Sequence, residues 1–193
     1  TTTALRVSRP DLTATTVGDY GLFGGGGSSG DYSTVDAYST SLVRSTPTPL
    51  SKARANLAAT TVGNYALFGG GSTSYVAGTG YIVDAYSASL VRSTPTTLNG
   101  GGSSLTATTV GDYGLFGGGA LGYYGASSTV DAYNESLVHS TATPLREGWY
   151  SWAATTVGDY ALFGGGFRRD QGDDGYARER YSSVVYAYTV LKS

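Results

Sequence analysis

The sequence predicts an all-β protein built from four copies of one four-stranded unit. Three observations carry that expectation. A glycine-terminated block recurs four times, the composition belongs to strands and tight turns, and no segment shows a sustained helical period. The block Thr15-Thr16-Val17-Gly18-Asp19-Tyr20-Gly21-Leu22-Phe23-Gly24-Gly25-Gly26 returns almost letter for letter from Thr60, Thr108 and Thr155. A second, Val35-Asp36-Ala37-Tyr38, returns at Val83 and Val130 and, altered, at Val185. A third, Leu42-Val43-Arg44-Ser45-Thr46, returns at Leu90 and Leu137. A period of about 47 residues fits a four-stranded propeller blade and is too long for leucine-rich coils.

Each unit parses in chain order. Strand A is the Leu-x-Ala-Thr-Thr-Val stretch, rich in β-branched residues. It ends at a Val-Gly-Asp-Tyr turn, where glycine supplies the backbone freedom of a tight hairpin. Strand B is Tyr-Gly/Ala-Leu-Phe, closed by the glycine run. Strand C holds Val-Asp-Ala-Tyr, and strand D holds Leu-Val-Arg-Ser-Thr. Pro47, Pro49, Pro95 and Pro144 fall late in D, where an outer edge tolerates a missing N–H. The expected blades are residues 6–50, 51–98, 99–145 and 146–193, with residues 1–5 completing an outer strand.

A hydrophobic strand, a Gly-Gly doublet and a spaced tyrosine on the next strand resemble the kelch repeat, and the resemblance covers essentially the whole chain. Arg9 and Arg54, just before strand A, resemble the kelch arginine; Gly102 and Trp149 stand at the same place in the other repeats. The resemblance implies a β-propeller of four-stranded antiparallel blades. Set end to end, Val190-Leu191-Lys192-Ser193 and Thr1-Thr2-Thr3-Ala4-Leu5 copy Leu42 to Leu50, so the two ends read as halves of one strand D. A row of blades with two unpacked faces is unfavourable. Closure within one chain as four blades, or between two chains as an eight-bladed ring, removes that penalty, and membership of a longer ring as one fragment of it is the third alternative.

Strands alternate direction, so the A–B and C–D turns share one face and the B–C and D–A loops the other. The A–B turn barely changes between repeats. The B–C loop changes completely, with 8, 11, 10 and 18 residues before the strand C valine. A constant scaffold with one individualised face is expected to bind a protein or glycan ligand there. The candidate contact residues are Arg9, Tyr32, Arg54, Tyr75, Tyr81, Tyr123, Tyr124, Trp149, Tyr150, Phe167, Arg168 and Tyr176. A structural self-assembly unit is the alternative, and a glycan-active hydrolase a remoter one.

Catalytic signals are sparse. The chain has no cysteine and one histidine, His139, which stands where Arg44 and Arg92 stand and reads as a solvated outer-strand residue. No Ser-His-Asp or Cys-His arrangement follows, and no cofactor is expected. Asp36, Asp84 and Asp131 occupy one scaffold position in three blades, which points to structural hydrogen bonding. The insertion from Phe167 to Tyr181 is charge-dense. Its Asp170, Asp173 and Asp174 are the only weak metal candidates, and four arginines beside them point to local ion pairing. Adjacent Asp173 and Asp174 are the only carboxylate pair a hydrolase would use there. A net charge of −2 argues against a nucleic-acid partner, and no apolar run approaches the roughly 20 residues of a membrane helix. Low lysine and a surface rich in Thr, Gly and Tyr point to an extracellular or cell-surface setting.

Overall fold

Alternating apolar and polar residues between two-residue turns fold each repeat into an antiparallel sheet. In the computed structural model, which describes residues 2–27, 30–73, 79–123, 125–172 and 175–190, the sheets follow the repeat boundaries. The first holds β1 (Thr13–Val17), β2 (Tyr20–Gly24), β3 (Val35–Ser39) and β4 (Arg44–Ser45), in that order. The second repeats it as β5 (Ala55–Val62), β6 (Tyr65–Ser72), β7 (Val83–Ser87) and β8 (Arg92–Ser93). The third has β9 (Thr106–Val110) and β10 (Tyr113–Gly117), a small side hairpin of β11 (Ala120–Leu121) and β12 (Gly125–Ala126), then β13 (Val130–Asn134) and β14 (His139–Thr141).

The fourth sheet is also four-stranded, but differently composed. β15 (Tyr150–Val157) pairs with a long β16 (Tyr160–Gln171). The first half of β16 pairs with β18 (Val185–Thr189), and its second half pairs with β17 (Ala177–Tyr181). The expected insertion loop is therefore a hairpin that extends the blade. The counterpart of strand D falls on residues 191–193, outside the described residues. Strand D is shorter than expected in the first two blades: β4 and β8 end before Pro47 and Pro95, so these prolines follow the strand. Residues 2–5 form no strand. Thr3 nevertheless accepts a hydrogen bond from the Tyr38 hydroxyl, as Thr48 does from Tyr86 and Thr96 from Tyr133.

Glycine's left-handed freedom opens each A–B turn, with φ of +51°, +49°, +51° and +54° at Gly18, Gly63, Gly111 and Gly158. The glycine run serves a second purpose, close packing. A Cβ at Gly24 would lie 2.7 Å from the Phe68 ring of the next blade. Gly69 meets Phe116 and Gly117 meets Phe163 in the same way.

The core is consequently divided into slabs between neighbouring blades. Val17, Leu22, Val35 and Ala37 of the first blade pack on Leu57, Ala66, Phe68 and Tyr86 of the second. Equivalent residues form the second slab, and the third replaces Leu57 with Trp152. The innermost strands stack in the order β1, β5, β9, β15. Threonine hydroxyls pair across each step: Thr15 with Thr61 at 2.8 Å, Thr60 with Thr109 at 2.7 Å, and Thr108 with Thr156 at 2.9 Å.

Candidate functional site

The D–A corner is a structural seam. Asp11, Asn56, Ser104 and Ser151 all adopt left-handed backbone, with φ between 54° and 56°. That conformation aims each amide at the preceding blade. Asn56 donates to the Asp11 carbonyl, Ser104 to Asn56, and Ser151 to Ser104, at 3.1, 2.9 and 2.8 Å. The variable content of this loop therefore sits on a constant hydrogen-bonded backbone.

Arg9 and Arg54, expected on the ligand face, are buried instead. Arg9 Nη1 lies 2.9 Å from Asp36 Oδ2 and also donates to the Val7 carbonyl, while Nε donates to the carbonyl of Gly25 and Nη2 to that of Phe23. Arg54 Nη2 lies 2.9 Å from Asp84 Oδ2 and donates to the Phe68 carbonyl. Burial pulls the Arg54 guanidinium below its ordinary value, against the opposing pull of Asp84. A buried guanidinium is retained where a carboxylate and several carbonyls surround it. The structural reading of Asp36 and Asp84 is thus met by geometry.

The third blade solves the same position without arginine. Asp131 accepts the backbone N–H groups of Asn99 and Gly100, and His139 Nε2 lies 2.7 Å from its Oδ1. His139 is not a solvated outer residue: its side chain is only 10% exposed and tilts against the Tyr133 ring. The fourth blade uses no charge there. Trp149 meets Trp152 edge to face, and Trp152 meets Tyr186, the counterpart of Asp36.

Trp149 and Tyr150 are accordingly buried and act as supports rather than exposed contacts. Tyr150, Phe167 and Tyr181 lie directly opposite one another across β15, β16 and β17 and form an aromatic row. Arg168 stacks 5.0 Å above the Trp149 ring and pairs with Glu147 and Asp170. Asp170 also pairs with Arg180, and Arg169 with Glu179. The Tyr181 hydroxyl and Arg169 both hold the Glu179 carboxyl below its usual range. The charge-dense insertion is therefore cross-strand ion pairing, as expected.

Among the described residues, four exposed aromatics lie along the B–C side, and Tyr160 is exposed at the fourth A–B turn. Tyr81, Tyr123, Tyr176 and Tyr181 all present large accessible surface, the last two about three-quarters exposed. Arg169 stacks 5.4 Å from the Tyr123 ring and so ties the third blade's loop to the fourth blade's hairpin. Tyr32 is half-buried. Tyr75, Tyr124, Asp173 and Asp174 lie outside the described residues. Sequence reasoning places Tyr181 among the aromatics of the variable face but leaves Arg169 off it. The available signal was Asp174-Gly175, a hairpin dipeptide, but its flanks are charged rather than apolar.

A cavity of about 360 Å³ between the third and fourth blades is lined by Val110, Tyr113, Leu115, Ala132 and Tyr188. Its walls match those that receive Leu90 and Leu137 at the two earlier steps. It is a packing site of the repeat, and Val190, the sequence counterpart of those leucines, lines it and packs on the third slab. No helix among the described residues is long and apolar enough to cross a membrane.

No protein-family model matches the chain, and no curated protein matches it. Among solved structures it is similar to YjhT, with a TM-score of 0.74 at 12% identity, over 93% of this chain and 68% of that one. With its four-stranded antiparallel sheets, the chain has an all-β, β-propeller-like fold.

Proposed function

We propose that the chain is a kelch-type propeller array acting as a non-catalytic binding scaffold, with a protein ligand held on its B–C side. The observation that carries this reading is the hairpin of β16 and β17. It projects a stiff sheet, held by cross-strand ion pairs and the aromatic row, whose outer tyrosines are left in solvent. Tyrosine supplies large amphipathic contact area with little rotamer entropy to lose, and arginine with tyrosine is enriched where interfaces bind strongly. The tyrosines stand on a projecting surface rather than in a cleft, which favours a protein over a small glycan.

The test compares the native chain with the triple variant Tyr123→Ser, Tyr176→Ser, Tyr181→Ser on a displayed-peptide library and on immobilised glycans. The expected outcome is enrichment of specific peptides by the native chain only, with the main melting transition of the blade cores kept in both. Retention by the triple variant would place the ligand elsewhere. A glycan signal alone would change the ligand class, and no signal on either surface would remove the binding role.

A further inference from the structure

The blade-to-blade contact is built from complementary halves, and the structure holds three copies of it, with Val190 in place of the turn leucine in the third. The forward face of a blade carries sockets: a flat glycine, a second glycine beside it, and two strand valines. The rear face of the next blade carries knobs: a phenylalanine, a leucine or tryptophan, and a turn leucine. Phe68, Phe116 and Phe163 sit on Gly24, Gly69 and Gly117, while Leu57, Leu105 and Trp152 sit on Gly25, Gly70 and Gly118. Leu90 and Leu137 hold left-handed backbone at φ +60° and pack into the preceding blade's slab. A non-glycine residue in that conformation is strained, and burial of the side chain compensates.

One half-contact of each kind is left over. On the fourth blade, Gly164 meets only its own blade's Val184 and Val185, and a Cβ on Gly165 would meet nothing. Val157 and Val185 are 59% and 60% exposed, whereas their counterparts in the other three blades are at most 3% exposed. On the first blade, Leu42 holds the same strained backbone at φ +58° yet is 60% exposed. Phe23 is only half-buried there, although Phe68, Phe116 and Phe163 are buried. The polar half matches too. Thr61, Thr109 and Thr156 each donate to the carbonyl of the preceding blade's equivalent threonine, whereas Thr16 of the first blade is exposed.

From these leftover halves we infer that two copies of this chain associate head to tail, the first blade of one seating on the fourth blade of the other. The occupant is a second copy because the unpaired knobs and sockets are the two sides of a contact this chain already makes internally. Reciprocal association of this kind is a heterologous interface that closes when the rotation permits and extends when it does not. The residues this surface uses, Leu42, Phe23, Val157 and Val185, are not the tyrosines of the hairpin, so either reading is tested without the other.

Leu42→Arg blocks the rear face of the first blade, and Val157→Arg blocks the forward face of the fourth. Both residues are exposed in the free chain, so both variants keep the native circular dichroism spectrum and melting cooperativity. By analytical ultracentrifugation the native chain is expected at two or more chain masses. Each variant alone is expected at the 19.8 kDa of one chain. Their equimolar mixture is expected to form a pair, because one unaltered face of each kind remains. A monomeric native chain, a variant that still self-associates, or a mixture that stays monomeric would each overturn the proposal.

Discussion

One residue position in this molecule is satisfied in three chemically distinct ways. Around the second residue of strand C, two blades bury an aspartate against an arginine from before strand A, the third pairs its aspartate with a strand D histidine and two backbone N–H groups, and the fourth has Tyr186 packed edge to face on tryptophan. The position is fixed by the seam around it, while the chemistry that fills it varies from blade to blade. Arg54→Ala should therefore lower stability by about 3 kcal/mol in urea denaturation, the low end for a broken buried pair. Ser51 and Arg92 still hold the Asp84 carboxylate in that variant. The buried tyrosines set the alkaline limit. Burial raises the hydroxyls of Tyr86 and Tyr133 and pushes Tyr188 up to about 12. The folded chain thus keeps protons that the unfolded chain releases near pH 10. Stability is full below that pH and falls as the pH climbs toward the folded values. Melting temperature against pH should drop above about pH 10, and less steeply in Tyr86→Phe.

At the scale of elements, glycine identity depends on what the neighbouring blade presents. Gly69 lies under the Phe116 ring, so Gly69→Ala should destabilise by about 1–3 kcal/mol through overpacking. Gly21 has open space around a would-be Cβ, and Ala66 and Ala161 occupy its counterparts. Gly21→Ala should stabilise by about 0.4–1 kcal/mol, by narrowing the unfolded ensemble. Parallel urea melts of the two variants read both signs. The hairpin of β16 and β17 follows a different rule. It stands beyond the slabs, so its order rests on pairing across its own strands and on the ties to Tyr150, Trp149 and Tyr123. Phe167→Ala removes the middle of the aromatic row and should raise hydrogen exchange in β17 while leaving β1 to β14 unchanged.

Among the described residues, the molecule is a row of blades in which each sheet shares a core only with its neighbours. Stability in such an array is a sum of unit and nearest-neighbour terms. The second and third blades have partners on both sides, the first and fourth on one. Amide exchange should accordingly be slowest in β6 and β10 and faster in β2 and β16. Head-to-tail association should slow the outer blades selectively, and uniform protection at all concentrations would contradict a simple nearest-neighbour array.

The repeat alone determined the number of blades, the strand order within the first three and the two-residue A–B turns, because hydrophobic alternation and left-handed glycines are local properties of the chain. Asp36, Asp84 and Asp131 were legible as structural because they recur at one scaffold position. The binding candidates were less legible. Arg9, Arg54, Trp149 and Tyr150 look like surface chemistry in a variable loop, yet the D–A seam turns them inward. Strand order does not say which side of a loop faces the neighbouring blade. The insertion of the fourth blade read as a loop because its strands alternate charges rather than apolar residues. Tertiary structure alone decided that it is a sheet extension, that Tyr176 and Tyr181 stand exposed on it, and that Leu42, Phe23, Val157 and Val185 lack the partners their counterparts have. Each of those outcomes depends on contacts between blades some 47 residues apart, where burial and not local propensity selects the conformation.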